Sequence, residues 1–154
     1  MLAADVVETL PTARPGDEVL SAVQMVSQRG LPGLVVADER GEVLGCLSSV
    51  DLLRLALPRY LMEDPGLARV FDEEHADRIA AALVGTRVSD VLGRARDRVP
   101  MARPRATVVE LAELMARWCC PLVVVQKEGG GTLGVVTANR LLELLVAAAG
   151  DAPR

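Results

Sequence analysis

Apolar positions between residues 12 and 57 change their spacing several times, and each spacing predicts an element. Short continuous apolar runs predict strands covered on both faces, whereas apolar positions three and four residues apart predict an amphipathic helix. Asp17 is expected to cap the first helix, Gly30 to end it, and Pro58 to end the second. The predicted order is strand, helix, strand, strand, helix, over residues 12–14, 17–30, 34–36, 43–47 and 48–57.

The same order returns 89 residues later without a gap, since residues 13–57 match residues 102–146 in register. Thr107 and Glu110 additionally form a capping box at the start of the second copy's first helix. A match of this length and register indicates an internal repeat, which fixes the architecture as two related halves. The matched pairs include Pro15 with Pro104, Pro32 with Pro121, Gly45 with Gly134, and Leu52 with Leu141.

Residues 58–87 separate the two copies and predict one broken or two short amphipathic helices that lie on the pair of repeats. A helix is expected to begin at Asp64-Pro65, with proline at its first position, and to end at Gly85. Glu74 and Arg78 are expected to pair across one helical turn. Residues that recur every fourth position, joined by Val70, predict one apolar stripe: Leu67, Phe71, His75, Ile79 and Leu83.

The expected domain boundaries follow from these segments. Residues 89–92 resemble residues 4–7, and both stretches are expected to be short lead-ins to their copies. The expected division is a first repeat at 1–57, a helical insert at 58–87, a second repeat at 88–150 and a disordered tail at 151–154.

Composition narrows the class of protein. With 51% apolar and 25% charged residues the chain has the composition of a soluble globular protein, and its three aromatic residues leave an aliphatic core. A net charge of −4 without a basic block argues against nucleic acid or an anionic membrane as the main partner. Because there is no charged leader and no apolar stretch of the ~20 residues that a span needs, a cytoplasmic location is expected. Lys127 is the only lysine among 17 basic residues, a hint of a GC-rich bacterial genome.

Catalytic and metal chemistry find few candidate residues. Three cysteines without a CxxC pair indicate a reducing compartment, and Cys119-Cys120 is expected to pack in the core. His75 is the only histidine, so neither a Ser/His/Asp or Cys/His arrangement nor a metal site is expected. The glycine run 129–131 lacks the Lys-(Ser/Thr) of a phosphate-binding loop and predicts a hairpin tip. The chain is therefore not expected to be an enzyme.

One short motif occurs in both copies, where the last strand meets the last helix. It is Gly45-Cys46-Leu47-Ser48-Ser49-Val50-Asp51 in the first copy and Gly134-Val135-Val136-Thr137-Ala138-Asn139-Arg140 in the second. A tandem strand–helix–strand–strand–helix unit that carries glycine, an apolar pair, a hydroxyl and then Asp three positions later resembles the CBS domain. Two copies resemble a CBS pair, and the resemblance covers residues 5–149 except for about 58–87.

The resemblance implies an α/β (α+β) fold in which the two repeats pack about a pseudo-twofold axis and leave two clefts. Such modules bind adenosine-containing ligands there, AMP, ADP or ATP and less often NAD or S-adenosylmethionine, and require no other cofactor. They commonly pair into a homodimer and regulate a separate enzyme, channel or transporter. The other interpretation is a ligand-free interaction module that associates through the apolar helices at 50–57 and 139–149.

Ser48 and Asp51 are the first candidate ligand contacts. Their spacing is also close to that of a capping box, which needs no ligand. In the ligand interpretation, a phosphate lies at the helix N-terminus beside the Ser48 hydroxyl. The Asp51 carboxylate, which by resemblance holds the ribose, accepts from its two hydroxyls. One site can serve both roles.

The second motif differs from the first, because Arg140 stands where the first copy has Asp51. An arginine in the first turn of a helix opposes the helix dipole, so it either pairs with a nearby acid or faces the cleft and meets phosphate. Thr137 and Asn139 are further candidate contacts in this cleft. Ribose binding there lacks the carboxylate that the family uses.

The remaining candidates lie beside the first strand and at the start of the next. Arg14 and Arg103 are either solvated surface arginines or phosphate contacts. By resemblance, the start of the second strand in each copy lines the base pocket, although the same residues also suit plain core at the entrance of a buried strand. The candidates in these segments are Thr12, Gly33, Leu34, Pro121 and Leu122.

Overall fold

A computed structural model describes residues 1–70, 73–93 and 99–150 of the chain. Phe71 of the expected stripe and the expected disordered tail at 151–154 lie outside these ranges. The first half contains α1 (Ala3–Val6), β1 (Thr12–Ala13), α2 (Val19–Arg29), β2 (Gly33–Ala37), β3 (Val43–Ser48) and α3 (Ser49–Ala56). The segment between the halves contains α4 (Arg59–Glu63), a 3₁₀ helix (Pro65–Val70) and α5 (Glu73–Ala81). The second half contains α6 (Val88–Leu92), β4 (Met101–Ala102), α7 (Val108–Trp118), β5 (Leu122–Gln126), β6 (Thr132–Thr137) and α8 (Ala138–Gly150).

Each half builds a three-stranded sheet of the same topology. β1 runs parallel to β2 and β2 pairs antiparallel with β3, and β4, β5 and β6 repeat this arrangement. Both antiparallel pairs carry an irregularity at equivalent positions, after Val36 and after Val125. Both α2 and α7 end on a left-handed residue, Gly30 and Cys119. These coincidences 89 positions apart confirm the repeat and the mixed α/β fold expected from the sequence.

Among the residues that the structure describes, three apolar clusters hold the chain together. Two of them lie within the halves, where helices cover one face of each sheet. The third lies between the two sheets and takes buried side chains from both: Val35, Cys46, Cys120, Leu122, Val124 and Val135. Since a fully buried Val or Leu contributes about 1.5–3 kcal/mol, this shared cluster binds the halves firmly to each other.

The two lead-in helices pack on the opposite halves. α1 packs into the core of the second half, where Ala3 is buried, and α6 packs into the core of the first half through Val88. The Ala3 N–H donates to the Ala106 carbonyl at 2.8 Å, and the Val88 N–H donates to the Asp17 carbonyl at 2.8 Å. Because Asp17 and Ala106 are equivalent positions of the repeat, the exchange is symmetric, and each half completes the core of the other.

The motif glycines make room for these crossing segments. A Cβ built on Gly134 would stand 2.9 Å from the Val7 Cβ and 3.0 Å from the Glu8 carbonyl oxygen. A Cβ built on Gly45 would stand 2.6 Å from the Leu92 Cδ1. The close approach of the lead-in backbone therefore accounts for glycine at position 134, whereas at position 45 the neighbouring atom is the end of a flexible leucine side chain.

The sequence predicts the cap of α7 correctly and the cap of α2 wrongly. At α7, the Thr107 N–H donates to Glu110 Oε2 at 2.6 Å and the Glu110 N–H donates to Thr107 Oγ1 at 3.2 Å, which confirms the capping box. At α2 the N-cap is Glu18, whose side chain makes no capping hydrogen bond, so the prediction of Asp17 is wrong. Asp17 stands one residue too early, and its carboxylate accepts the Arg14 N–H at 2.8 Å to close the turn after β1.

The expected apolar stripe of the insert is wrong for most of its described positions. Leu83 joins the core of the first half, but the other described members are exposed or half-buried: Leu67, Val70, His75 and Ile79. A 3₁₀ helix completes a turn every three residues. In residues 65–70, side chains four positions apart therefore do not lie on one face. The expected pair of Glu74 and Arg78 does form, at 2.7 Å, on exposed side chains.

The adjacent cysteines take different environments. Cys120 is buried between the sheets, as expected. Cys119 is exposed, because it takes the left-handed conformation (φ 46°) that ends α7, at the position equivalent to Gly30. The packing prediction is therefore wrong for Cys119.

Candidate functional site

Ser48 ends β3 and caps α3, so the strand–helix junction carries the first candidate site. The Asp51 N–H donates to Ser48 Oγ at 3.1 Å, and the Ser48 N–H and hydroxyl donate to Asp51 Oδ2 at 3.0 and 2.8 Å. The capping box is thus fully formed, and Asp51 is 8% exposed. Its other oxygen, Oδ1, lies 3.5 Å from the Arg54 guanidinium, the outer limit of a hydrogen bond. Oδ1 therefore retains the capacity to accept from a ligand.

Gly33 brings β2 close against this junction. It pairs with Ser48 in the antiparallel register. A Cβ built on Gly33 would stand 2.6 Å from the Leu47 carbonyl oxygen, so the backbone leaves no room for a side chain. The neighbouring Leu34 is buried in the core of the first half, and its side chain packs there.

The equivalent strand start in the second half carries Leu122 in place of Gly33. Leu122 is fully buried between the two sheets, and the preceding Pro121 accepts the Ala138 N–H on its carbonyl at 2.8 Å. The two junctions therefore differ in how the space beside them is packed. The second junction contributes a leucine side chain to the cluster between the sheets, whereas the first contributes only backbone.

Thr137 repeats the role of Ser48 as a helix-start hydroxyl. Its Oγ1 accepts the Arg140 N–H at 3.2 Å. The Arg140 guanidinium lies 3.3 Å from Glu143 Oε2, and the Asn139 amide donates to Glu143 Oε1 at 3.1 Å. Glu143 therefore engages both polar side chains that the motif places in the first turn of α8.

A carboxylate that the sequence does not indicate completes the second junction. Glu8 arrives with the crossing lead-in, and its N–H and carbonyl pair with Val135 at 2.8 and 3.0 Å. The Thr137 hydroxyl donates to Glu8 Oε2 at 2.9 Å, across 129 positions of the chain. The sequence gives only an indirect signal. The second motif has Arg140 in place of the acid, but the sequence does not indicate which other residue supplies a carboxylate.

A cavity of about 340 Å³ lies beside Glu8, between the two halves. Its polar lining consists of Glu8, Arg40 and three threonines, among them the candidate Thr12. The apolar part of its wall comes from both sheets and from the first lead-in, including Leu10, Val35, Val43 and Val135. Apolar walls with a few polar groups are the usual composition of a small-molecule site.

Arg14 and Arg103 are both exposed and line separate recesses. Arg14 shares a recess of about 320 Å³ with two acids of the β2–β3 turn. Arg103 shares one of about 450 Å³ with two further arginines and two glutamates of α7. Neither recess includes Ser48 or Thr137 among its described lining residues.

The described residues offer no metal centre. Over residues 1–70, 73–93 and 99–150, no three His, Cys, Asp or Glu side chains are grouped so that they could hold a metal ion. In that same part of the chain, no helix combines the length and the apolar character that crossing a membrane requires.

Comparisons with known proteins agree with this architecture. The CBS domain model matches residues 3–57 and 88–147, which are the two halves without the insert. The crystal structure of a CBS domain-containing protein of unknown function from Kribbella flavida is 38% identical to this chain. It superposes with a TM-score of 0.75 and covers 95% of this chain and 99% of that one.

Two more distant structures share the fold and were solved with ligands. The CBS-pair protein CBSX2 from Arabidopsis thaliana is 17% identical, with a TM-score of 0.74 and 98% of both chains covered, and it has also been solved in complex with AMP. The CBS domain pair of MJ0100, solved with 5′-methylthioadenosine and S-adenosyl-L-methionine, is 15% identical. It superposes with a TM-score of 0.67 over 96% of this chain and 98% of that one. On the match of the family model over both halves, and on the repeat that the two sheets display, the present chain belongs to the CBS domain family.

Proposed function

We propose that this chain is a regulatory module that binds an adenosine-containing nucleotide in its clefts and signals to a separate protein, an enzyme or a transporter. AMP, ADP and ATP are the first candidate ligands, and NAD and S-adenosylmethionine come next. The module acts by binding and carries out no reaction itself.

The observation that carries the proposal is the Ser48–Asp51 junction within a CBS pair. Asp51 is buried, is held in place by two hydrogen bonds to one of its oxygens, and presents the other. A carboxylate fixed in this way suits the paired hydroxyls of a ribose. CBSX2 and the MJ0100 pair, which share the fold, were solved with AMP and with adenosyl compounds, and this supports the class of ligand.

In the first cleft, the ribose hydroxyls bind Asp51, and the phosphate lies near the Ser48 hydroxyl and the N-terminus of α3, where unpaired N–H groups and the helix dipole favour an anion. The backbone around Gly33 and Leu34 forms the wall beside the base, and Arg14 and Thr12 are further contacts. In the second cleft, the corresponding contacts are Thr137, Asn139, Pro121 and Leu122, with Arg103 and Arg140 as phosphate contacts. Arg140 must exchange its contact with Glu143 for the phosphate.

A thermal-shift panel tests the proposal with AMP, ADP, ATP, NAD and S-adenosylmethionine. A ligand present at 100 times its Kd stabilises the folded state by about 2.7 kcal/mol, which shifts the melting temperature visibly. The variant Asp51→Ala should abolish the ribose-dependent response of the first cleft, whereas Arg140→Ala should weaken only the response to polyphosphates.

The matched control is Glu110→Ala, which removes the equivalent acid of the capping box on α7 and so reproduces the loss of a cap. It should lower the melting temperature and leave the ribose-dependent response of the first cleft intact. A flat response of the parent protein to the whole panel would rule out nucleotide sensing, and equal responses of Asp51→Ala and the parent would rule out the site.

A second candidate function is association between copies or with a partner protein. It is favoured by the apolar side chains that α3 and α8 leave exposed: Val50, Leu53, Leu142, Leu145 and Val146. A homodimer through these helices is compatible with ligand sensing, because these exposed side chains are not the ones that form the junctions.

A further inference from the structure

The helix-start hydroxyls of the two halves each donate to a carboxylate, but the carboxylates come from different parts of the chain. The Ser48 hydroxyl donates to Asp51 Oδ2 at 2.8 Å, and the Thr137 hydroxyl donates to Glu8 Oε2 at 2.9 Å. Both hydroxyls also accept the N–H three residues further on, at 3.1 and 3.2 Å. The two junctions are therefore alike in their hydrogen bonds, although the acid is local in the first and distant in the second.

The crossing lead-ins explain why one junction receives its carboxylate from its own helix and the other from a lead-in. Ala3 and Val88 make equivalent backbone hydrogen bonds, so five positions further along Glu8 corresponds to Gly93. The lead-in that reaches the second motif thus carries a carboxylate, and the lead-in that reaches the first adds no side chain at that position. Among the described residues, each junction has one carboxylate at its hydroxyl.

The backbone fixes Glu8 in this position. Its two hydrogen bonds to Val135 place it one residue beyond the close contact at Gly134. Within the described part of the chain, Oε2 receives the Thr137 hydroxyl and no hydrogen bond reaches Oε1. A carboxylate accepts on both oxygens, so Glu8 presents one to a ligand, as Asp51 does.

We propose that Glu8 is the hydroxyl-binding carboxylate of the second cleft, in place of the acid that the motif has lost. The proposal rests on the proposed binding of adenosine-containing ligands and names the residue that binds the ribose hydroxyls in the second site.

Isothermal titration of the full chain with adenosine and with 2′-deoxyadenosine tests this inference. The parent protein should bind two adenosines per chain, Asp51→Ala should retain the Glu8 site, and Glu8→Gln should retain the Asp51 site. Glutamine still accepts the Thr137 hydroxyl, so the fold is preserved while the charge is lost. Loss of a hydrogen bond to a charged group should weaken adenosine binding at the second site by about tenfold or more.

In the Asp51→Ala protein, 2′-deoxyadenosine should bind about tenfold or more weakly than adenosine, and adding Glu8→Gln should remove this preference.

Glu128→Gln in the exposed β5–β6 turn removes the same charge elsewhere and should bind both nucleosides as the parent does. Unchanged or tighter second-site binding by Glu8→Gln would overturn the inference. Unchanged or tighter second-site binding by Glu8→Ala would overturn it as well. If the parent binds one adenosine, which Asp51→Ala abolishes and Glu8→Gln leaves unchanged, the sensing function stands and this inference is wrong. If no variant binds any panel ligand, both fail.

Discussion

Thr107 and Glu110 form a plain capping box, and they show what the spacing of a hydroxyl and an acid does at an exposed helix start. The Thr107 backbone N–H, helped by its hydroxyl, holds the pKa of the Glu110 carboxyl below its ordinary value of 4.5. The Ser48–Asp51 pair has the same local geometry in a buried setting. Both pairs thus make the same capping hydrogen bonds. The candidate site differs from a plain cap because its acid, Asp51, is buried.

The lowered pKa of Glu110 predicts how its cap depends on pH. A group whose pKa is lower in the folded than in the unfolded chain stabilises the fold above its ordinary value, and this stabilisation is lost as the pH falls through the folded value. Glu110→Gln should therefore be less stable than the parent at neutral pH, and the difference should close as the pH falls below 4.5.

Urea unfolding of the two proteins at a series of pH values measures this difference. Glu128→Gln, whose carboxylate lies in an exposed turn, serves as the control and should show no comparable trend. A difference for Glu110→Gln that stays constant across the acid range would mean that the cap does not depend on the charge.

At the scale of residues, the sequence predicts what is local. The capping boxes at Ser48 and at Thr107 follow from a spacing of three positions, and both form. The contact of Glu8 with Thr137 spans 129 positions and follows from the path of the lead-in, which no spacing records. Asp17 shows that a local pattern can also mislead, because the Asp17 carboxylate accepts the Arg14 N–H and does not cap α2.

At the scale of elements, the exchange of the lead-ins makes α1 part of the second half. Val6 is 2% exposed in the core of that half, near β6, although it belongs to the first seven residues of the chain. Repeat matching predicts the existence and order of these elements, because equivalent residues form equivalent structure. It does not predict which half a lead-in covers, since either choice satisfies the same apolar pattern.

Truncation of Val6 should destabilise the core of the second half. Val6→Ala is expected to lower the free energy of unfolding by about 1–3 kcal/mol, as is usual for a cavity in a core. Combined with Val136→Ala in the same cluster, it should show a coupling energy of about 0.5 kcal/mol or more, whereas with Val36→Ala in the first half the effects should add.

Chemical denaturation of the single and double variants measures these couplings. Val109→Ala, which truncates a valine that is 77% exposed on α7, should leave stability nearly unchanged. Stronger coupling of Val6 to Val36 than to Val136 would contradict the exchange of the lead-ins.

At the scale of the whole molecule, the same two helices that carry the motifs leave apolar faces uncovered. Leu53 on α3 is 67% exposed, and on α8 Leu145 is 55% and Val146 is 74% exposed. Large apolar side chains left exposed together on one face of a helix are typical of a surface that another protein covers. The sequence already predicts both helices as apolar, but only the fold shows which of their residues the core leaves uncovered.

Charge placed on these faces should prevent self-association. Leu53→Glu and Leu145→Glu are expected to convert a homodimer into a monomer, because each buries an unpaired carboxylate in the interface. Light scattering coupled to size exclusion gives the mass directly. Val109→Glu adds the same charge at a comparably exposed valine on α7 and should keep the mass of the parent. A parent protein that is monomeric, or variants that keep its mass, would exclude this surface as a dimer interface.

The exchanged lead-ins also set the order in which the chain can fold while it is being made. Residues 3–6 are synthesised about 100 positions before the carbonyl groups of Pro104 and Ala106 that receive their N–H groups. At roughly 5–20 residues per second, α1 waits about 5–20 s for its partners, and the core of the first half waits for α6. The first half cannot close when its own strands emerge from the ribosome, because α6 is made later, whereas α1 is already present when the strands of the second half emerge. Completion of the chain, and not synthesis of its first repeat, therefore times the appearance of the native clefts.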